Sequence, residues 1–261
     1  MTSLGKMLQV LTLFTASEPL LTADEIMQRL DYTRPTTYRY IRELCAAGLL
    51  SRFASGYSLG PRIIELDYTI RQADPVLKVA RGRMRALADR YECEVVLLTI
   101  FGTKVVTVHE EKSKDSPLVS YGRGHPMPLF RGAGSKVLMA YLPASKQKKL
   151  FLKFPEEVAA ANLGTHWSRF HASLRKIRAA GSAVSMGELD ATNVGVAVPI
   201  VGAMGEVNES LVLILSETRY LTVDKDLLLE TVNAAAAQIS EQIGTAGSLD
   251  EHGFPVATRR K

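Results

Sequence analysis

The segment LTADEIMQRLDYTRPTTYRYIRELCAAGLLSRFASGYSLG, Leu21–Gly60, specifies the architecture of the N-terminal part of the chain. Its apolar spacing and its threonine N-cap predict a helix over residues 22–30. A second helix follows a short turn, with Pro35 in its first turn and Gly48 in the position that favours a left-handed cap. Residues 49–59 alternate on both sides of a Ser-Gly turn, which predicts a β-hairpin. Helix, turn, helix and hairpin in this order predict a winged helix-turn-helix.

The second helix has an apolar side and a polar side. Ile41, Leu44 and Cys45 form the side that is predicted to be buried. The other side and the hairpin carry the candidate DNA-binding residues: Arg34; Thr36, Thr37, Tyr38 and Arg39 toward the bases; and Arg42 and Arg52 toward the phosphates. Hydroxyls and arginines at a helix start reach both groups in the major groove. A solvated basic face is the alternative interpretation, but the ordered set of elements favours binding of double-stranded DNA.

The composition is that of a globular protein with reduced thiols. With 261 residues and 46% hydrophobic content, the chain can form one large domain or two ordinary ones. The net charge of +5 is modest, but five arginines and one acid fall between Arg34 and Arg62, which supports a phosphate-facing surface. Cys45 and Cys93 lack metal-ligand spacing. Neither a secretion signal nor an apolar run of about 20 residues is present. We therefore expect a cytoplasmic protein without a membrane partner.

The pattern along the chain predicts four parts: a DNA-binding domain over residues 1–61, a linker helix over 62–74, a larger domain over 75–245 and a flexible tail over 246–261. In the larger domain, strands, helices and strands again follow one another with short turns. This order indicates an α+β fold on a mostly antiparallel sheet. Residues 118–121 are predicted as a strand, and residues 222–243 as one long helix.

Separate motifs in both domains occur in an order known from one family. The N-terminal motif residues are Lys6, Leu8, Val10, Leu11, Phe14, Glu25, Ile26, Thr37, Tyr38, Arg39, Ile41, Leu44, Gly48, Leu50, Tyr57, Leu59 and Gly60. The C-terminal motif residues are Gly124–Leu129, Gly134–Lys136, Leu138, Ala140, Gly187, Glu188, Gly195–Ile200 and Gly205. Through them the chain resembles the IclR family of bacterial transcriptional regulators, from about Leu4 to Ile243.

The resemblance implies a DNA-binding regulator with a GAF-like effector domain. It implies a homodimer, or a homotetramer of two dimers, that contacts a palindromic operator with paired winged helices. It also implies a pocket in the C-terminal domain for a small metabolite, often a carboxylate or an aromatic catabolite. The family includes repressors and activators, so the sign of regulation is not implied.

The resemblance places the effector where a glycine-rich loop before a helix meets two strands. The candidate effector-binding residues there are Arg131, Gly132, Ala133, Gly134, Ser135, Ser185, Glu188, Gly195, Val212 and Ile214. Small residues before a helix leave backbone N–H groups at its positive end, where an anion is stabilised by roughly 0.3–1 kcal/mol. Packing glycines at a tight turn are the alternative. The apolar Val212 and Ile214 favour an aromatic acid over a smaller one.

Two of these residues have open roles. Arg131 departs from the small or hydroxyl-bearing residues that the family has nearby; it would clamp a carboxylate or lie on the surface. Glu188 is a polar pocket candidate or a cap of the loop that follows it.

An enzyme is the first rival to the regulator hypothesis. The sequence contains no nucleophile-elbow, zincin, Walker or dinucleotide-binding motif, so no catalytic residue and no cofactor is predicted. His109, His125, His166 and His171 have no metal-ligand spacing, and no metal site is predicted. The second rival is an architectural DNA-binding protein that responds to no ligand.

Overall fold

The structure is a computed structural model that describes residues 2–246. The chain divides into two compact units, Met1–Asp74 and Pro75–Lys261. The predicted flexible tail, apart from Ala246, lies outside the described residues. Among the described residues, no helix combines the length and the apolar character that crossing a membrane requires.

The N-terminal unit consists of four helices and a hairpin within its described residues. Its elements are α1 (Ser3–Gln9) with a 3₁₀ turn (Val10–Leu13), α2 (Ala23–Leu30), α3 (Arg34–Ala46), β1 (Leu50–Phe53), β2 (Gly56–Leu59) and α4 (Arg62–Ala73). The strands pair antiparallel, with Leu50 opposite Leu59 and Phe53 opposite Gly56. This is the predicted winged helix-turn-helix.

Local signals set the helix ends of this unit. Thr22 and Glu25 form a reciprocal capping box at the start of α2. Asp31, with a φ of 52°, and Gly48, with a φ of 71°, end α2 and α3 in the left-handed region. The core contains Val10, Leu21, Ile26, Tyr40, Ile41, Leu44 and Leu50. Cys45 is only partly buried and packs against the edge of this core, whereas Tyr40, which the sequence did not indicate, is a buried member of it.

The C-terminal unit alternates between strands and helices. Its elements are α5 (Pro75–Tyr91), β3 (Glu94–Phe101), β4 (Lys104–Lys112), β5 (Pro126–Met127), α6 (Ala133–Tyr141), α7 (Ala144–Lys153), α8 (Pro155–Ala160), α9 (Trp167–Ala180), β6 (Ala183–Met186), β7 (Asn193–Ile200), β8 (Glu209–Ser216), α10 (Glu217–Thr222) and α11 (Lys225–Ala246).

The strands of this unit form one antiparallel sheet between two helical layers. In the described part of the chain, the sheet has six strands in the order β5-β4-β3-β8-β7-β6. Side chains alternate across it. Val95 and Leu97 of β3 pack with α5 and α11, whereas Val96 and Leu98 pack with helices α6 to α9 on the opposite face. The predicted α+β fold on a mostly antiparallel sheet is confirmed.

Two sequence-based elements differ from the structure. Residues 118–121 are not a strand, because side chains bind their backbone: Asn193 Nδ2 donates to Leu118 O at 2.8 Å, and Thr107 Oγ1 donates to Tyr121 O at 3.0 Å. The edge strand that pairs with β4 is instead β5. The predicted C-terminal helix corresponds to α11 but begins at Lys225 instead of residue 222. Thr222 ends the separate short helix α10, and Asp224 Oδ1 starts α11 by accepting from the N–H groups of Asp226 and Leu227, each at 3.0 Å.

Candidate functional site

An open groove lies between α3 and the hairpin of the N-terminal unit. Its volume is about 570 Å³, and its walls are Pro35, Tyr38, Arg39, Ile41, Arg42, Cys45, Arg52 and Tyr57. Arg39, Arg42 and Arg52 therefore line one concave surface. Such a clustering of positive charge on a helix and its adjoining hairpin is the electrostatic footprint of a phosphate-binding surface.

The other predicted DNA-binding residues are exposed to different degrees. Arg34 is exposed, and its guanidinium lies 5.7 Å from the ring centroid of Tyr38, which is 43% exposed. Thr36 is half-buried, and its Oγ1 accepts from Thr33 Oγ1 at 2.9 Å. Arg42 pairs with Glu43 across 3.0 Å with both side chains in solvent, so the pair contributes little to stability and is free to rearrange.

Thr37 does not belong to this surface. Its side chain is fully buried, and Oγ1 donates to the carbonyl of Thr33 at 3.1 Å. The prediction that Thr37 faces the bases is wrong, because residues 37, 40, 41 and 44 form the buried side of α3. Thr37 instead lies on the buried side of α3, where its hydroxyl binds the backbone of the same helix.

A small cavity lies on the α6 side of the sheet in the C-terminal unit. Its volume is about 40 Å³, and its walls are Val96, Leu98, Val119, Tyr121, Met127, Gly132, Ala133, Gly134, Ser185, Glu188, Leu189, Asp190, Asn193, Gly195, Val212 and Ile214. Eight of the ten residues predicted to bind the effector line this one cavity; the exceptions are Arg131 and Ser135.

The start of α6 meets β6 and the loop after it at this cavity. The N–H of Gly132 donates to Glu188 Oε2 at 2.8 Å, and the N–H of Ala133 donates to Ser185 Oγ at 3.0 Å. Lys136 Nζ forms a salt bridge with Glu188 Oε1, and the lysine side chain is only 11% exposed. Residues of this chain therefore already accept the hydrogen bonds that the sequence predicted to be available to a ligand.

Gly134 brings α6 close to the sheet. A methyl group there would lie 2.4 Å from Leu98 Cδ1 and 2.6 Å from Val212 Cγ2. Gly132 has a φ of 82°, which favours glycine. The packing interpretation of these glycines thus has a clear structural basis, and it is compatible with a binding site because the same residues line the cavity.

The structure places Arg131 and Ser135 away from the cavity. Arg131 is exposed, and its guanidinium donates to the backbone carbonyl of Glu188. Ser135 is fully buried and does not line the cavity. Of the two roles left open for Arg131, the structure supports the surface position and not the carboxylate clamp, because the guanidinium binds the backbone of Glu188 and does not line the cavity.

Two residues that line the cavity were not indicated by the sequence pattern. Val119 and Tyr121 belong to the covering segment, which we define as residues 118–121. Ser120 donates from N at 3.2 Å and from Oγ at 2.5 Å to the carboxylate of Asp190. Asp190, in the loop before β7, and Asn193, at the start of β7, were polar signals for contacts with this segment, but the sequence did not identify their distant partners.

Glu94 is a buried acid on the cavity side of the sheet, in line with Val96. Within the described residues, neither of its oxygens has a hydrogen-bond partner. Burial raises the pKa of its carboxyl to about 7, and the carboxylates of Glu110 and Asp190 also raise it. The Lys112 ammonium, with Nζ 3.5 Å from Oε2, lowers this pKa in part.

Replacing Glu94 with glutamine is expected to stabilise the protein at pH 8 but not at pH 4.5. Because folding raises the pKa, ionising Glu94 costs stability as the pH rises from the unfolded value of 4.5 to about 7. This shift corresponds to about 3 kcal/mol. Thermal melts across this range, with the exposed Glu156→Gln as control, measure it. A pH-independent difference would show that Glu94 is ionised at no cost.

Comparisons with known proteins identify both units. A family model described as the C-terminal domain of the bacterial transcriptional regulator IclR matches residues 69–241. The model of the IclR helix-turn-helix domain matches residues 3–52. The chain belongs to the IclR family. It is a bacterial transcriptional regulator with a DNA-binding helix-turn-helix domain, and the resemblance predicted from its motifs is confirmed.

Individual IclR proteins are similar over nearly the whole chain. The HTH-type transcriptional regulator KipR of Bacillus subtilis is 26% identical over 243 residues, which are 92% of this chain and 96% of KipR. An IclR regulator structure from a Silicibacter species has a TM-score of 0.81 at 22% identity, covering 98% of this chain and 100% of that one. An IclR homologue of Microbacterium hydrocarbonoxydans, complexed with 4-hydroxybenzoate, has a TM-score of 0.71 at 20% identity, covering 94% and 100%.

Proposed function

We propose that this IclR protein binds a palindromic operator through the groove of Arg39, Arg42 and Arg52, and that a small aromatic carboxylate in the C-terminal cavity modulates this binding. Two half-sites of the operator are each contacted by one α3 helix, so the protein acts as a homodimer or as a homotetramer of two dimers. Exposed apolar side chains on α4, Ile64 and Tyr68 among them, support self-association because solvated apolar area favours a protein partner.

The observation that carries the operator proposal is the concave arginine surface beside an exposed helix start. Arg39 and Tyr38 point out of α3 toward the groove, within reach of base edges. Arg42 of α3 and Arg52 of the hairpin line the same groove, and we assign them to the phosphate backbone. Contacts of this kind predict a steep loss of affinity with salt.

The effector proposal rests on two features of the cavity. Its walls Val96, Leu98, Val212 and Ile214 are apolar, and one end holds a carboxylate, that of Glu188, on a helix N-terminus. This combination suits a flat ring with an acidic substituent. The solved Microbacterium hydrocarbonoxydans relative is complexed with 4-hydroxybenzoate, an acid of this class.

An aromatic ring needs more room than the cavity has. A cavity that holds benzene measures roughly 150 Å³, compared with about 40 Å³ here. Binding therefore requires the covering segment or the Glu188 loop to move outward. Such a movement gives the ligand different affinities for two conformations, which is the requirement for modulating a distant activity.

A thermal-shift screen tests the effector proposal. The purified protein is melted with aromatic acids, aliphatic acids and their neutral amides. Ligand at about a hundred times its Kd raises apparent stability by about 2.7 kcal/mol, so aromatic acids should increase the melting temperature and the amides should do so less. If neither class has an effect, the protein is better described as a DNA-binding regulator that responds to no small aromatic acid.

A further inference from the structure

We propose that Glu188 is an internal competitor of the effector: its carboxylate lies in the anion site at the start of α6, and an incoming carboxylate takes its place. The inference rests on the proposed function and specifies how that site is regulated. Glu188 accepts from the N–H of Gly132 at 2.8 Å and from Lys136 Nζ. These are the two donors that a bound acid would use.

The largely buried side chain of Lys136 makes this an exchange of one anion for another. Lys136 is 11% exposed, whereas Glu188 is 27% exposed. A buried ammonium that loses its only anion is left with an uncompensated charge; among the described residues, Glu188 is the only acid that forms a salt bridge with Lys136. Release of Glu188 therefore needs a replacement that brings its own negative charge. A neutral molecule of the same shape does not meet this need.

The apolar walls of the cavity determine which acids can displace Glu188. Glu188 is held near the site by its own backbone, so a free acid competes against a high effective concentration. A small acid such as acetate contributes only the charge interaction of its carboxylate, because it has no ring to bury. An aromatic acid also buries its ring against side chains such as Leu98, Val212 and Ile214, which Glu188 on its short side chain cannot do. The competition thus selects against small acids.

Exchange at Glu188 is linked to the covering segment through the next two residues. The side chain of Leu189 packs on Gly132, where a methyl group would lie 2.8 Å from Cδ1. Asp190 accepts from Ser120 of the covering segment. Displacing Glu188 therefore moves the loop that holds the covering segment, which widens the cavity at the place where a ring needs room.

Removing the competitor tests the proposal. In Glu188→Ala, Lys136 lacks its anion, so the variant should melt below the wild type in sodium chloride and recover in sodium acetate of equal ionic strength. Its affinity for benzoate should exceed that of the wild type at least tenfold, while its affinity for benzamide changes less than threefold. Calorimetric titration measures both ligands. Glu156→Ala removes an exposed carboxylate from α8 and should match the wild type throughout.

Contrary results are equally specific. Weaker or unchanged benzoate binding by Glu188→Ala would overturn the proposal, because Glu188 would then hold the ligand or take no part. Acetate that stabilises the variant no more than chloride would also overturn it. If Glu188→Ala does not fold, Glu188→Gln, which keeps the shape without the charge, must show the same gain for benzoate. Benzoate that replaces Glu188 without changing operator affinity would refute the proposed function and leave the exchange intact.

Discussion

Replacing Arg39 with alanine is expected to weaken operator binding by a hundredfold or more. A guanidinium that contacts a guanine contributes about 1–3 kcal/mol, and a palindromic operator loses this contact in both half-sites. The Arg39 side chain is exposed in the groove, so its loss should not unfold the unit. Its guanidinium carbon lies 5.4 Å from the ring centroid of Tyr40. Fluorescence anisotropy with an operator selected from random duplexes at fixed salt measures the effect.

The control for this variant is Arg175→Ala, which removes an equally exposed arginine from α9 of the C-terminal unit. It lowers the net charge by the same amount and should change operator affinity less than threefold. Benzoate binding should be the same for both variants. Unchanged operator affinity in Arg39→Ala would show that another surface reads the DNA.

Replacing Gly60 with alanine is expected to destabilise the N-terminal unit by about 3 kcal/mol or more. The added methyl group would lie 2.1 Å from the carbonyl oxygen and 2.8 Å from the carbonyl carbon of Gly48. Both are backbone atoms that cannot rotate away, unlike the end of a side chain. Gly60 also donates to Leu49 O at 2.8 Å, which joins the end of the hairpin to the end of α3.

Amide hydrogen exchange followed by mass spectrometry resolves this effect by unit. Residues 2–61 should lose protection, residues 75–246 should keep it, and operator binding should be lost. Gly82→Ala is the matched control: in α5 a methyl group meets nothing within 4 Å, and alanine should stabilise the helix by about 1 kcal/mol. Normal operator binding by Gly60→Ala would show that the end of the hairpin tolerates a shift.

Local chemistry explains why much of the N-terminal unit could be predicted. The capping box of Thr22 and Glu25, the proline in the first turn of α3 and the left-handed Gly48 each act within four or five residues. Their signals are therefore visible in the sequence itself. Thr37 was misjudged because a hydroxyl satisfied by the carbonyl one turn earlier is compatible with a core position.

The cavity was predictable only in part. Gly134 and Gly195 are marked by the family motif, and Gly132 is one of the small residues that precede the predicted helix; in the structure the neighbours of all three require small residues. The role of Glu188 depends on a contact across 56 positions of sequence, and the orientation of Arg131 depends on one across 57. Contacts between residues so far apart in the chain produce no periodic pattern in the sequence. The position of Glu188 in the sequence makes it a candidate cap of the loop that follows it, whereas in the structure its carboxylate accepts from the N–H of Gly132 at the start of α6.

The backbone conformation of the covering segment also depends on contacts that are distant in the sequence, so it was not predicted correctly. Its Leu-Val-Ser-Tyr sequence has the composition of a strand, and the prediction followed that composition. The structure satisfies its polar backbone groups with the side chains of Asn193, Asp190 and Thr107 instead. These partners come from three places in the chain, so the irregular conformation is a tertiary result.

The proposed function requires that effector binding and operator binding influence each other. The affinity of the full-length protein for its selected operator is measured by anisotropy at constant salt, with and without a saturating aromatic acid found in the melting screen. An operator Kd that changes about 5- to 150-fold in either direction, corresponding to a coupling of about 1–3 kcal/mol, is the predicted result. An operator Kd unchanged within twofold, while the acid is shown to be bound, would mean that the acid does not modulate operator binding.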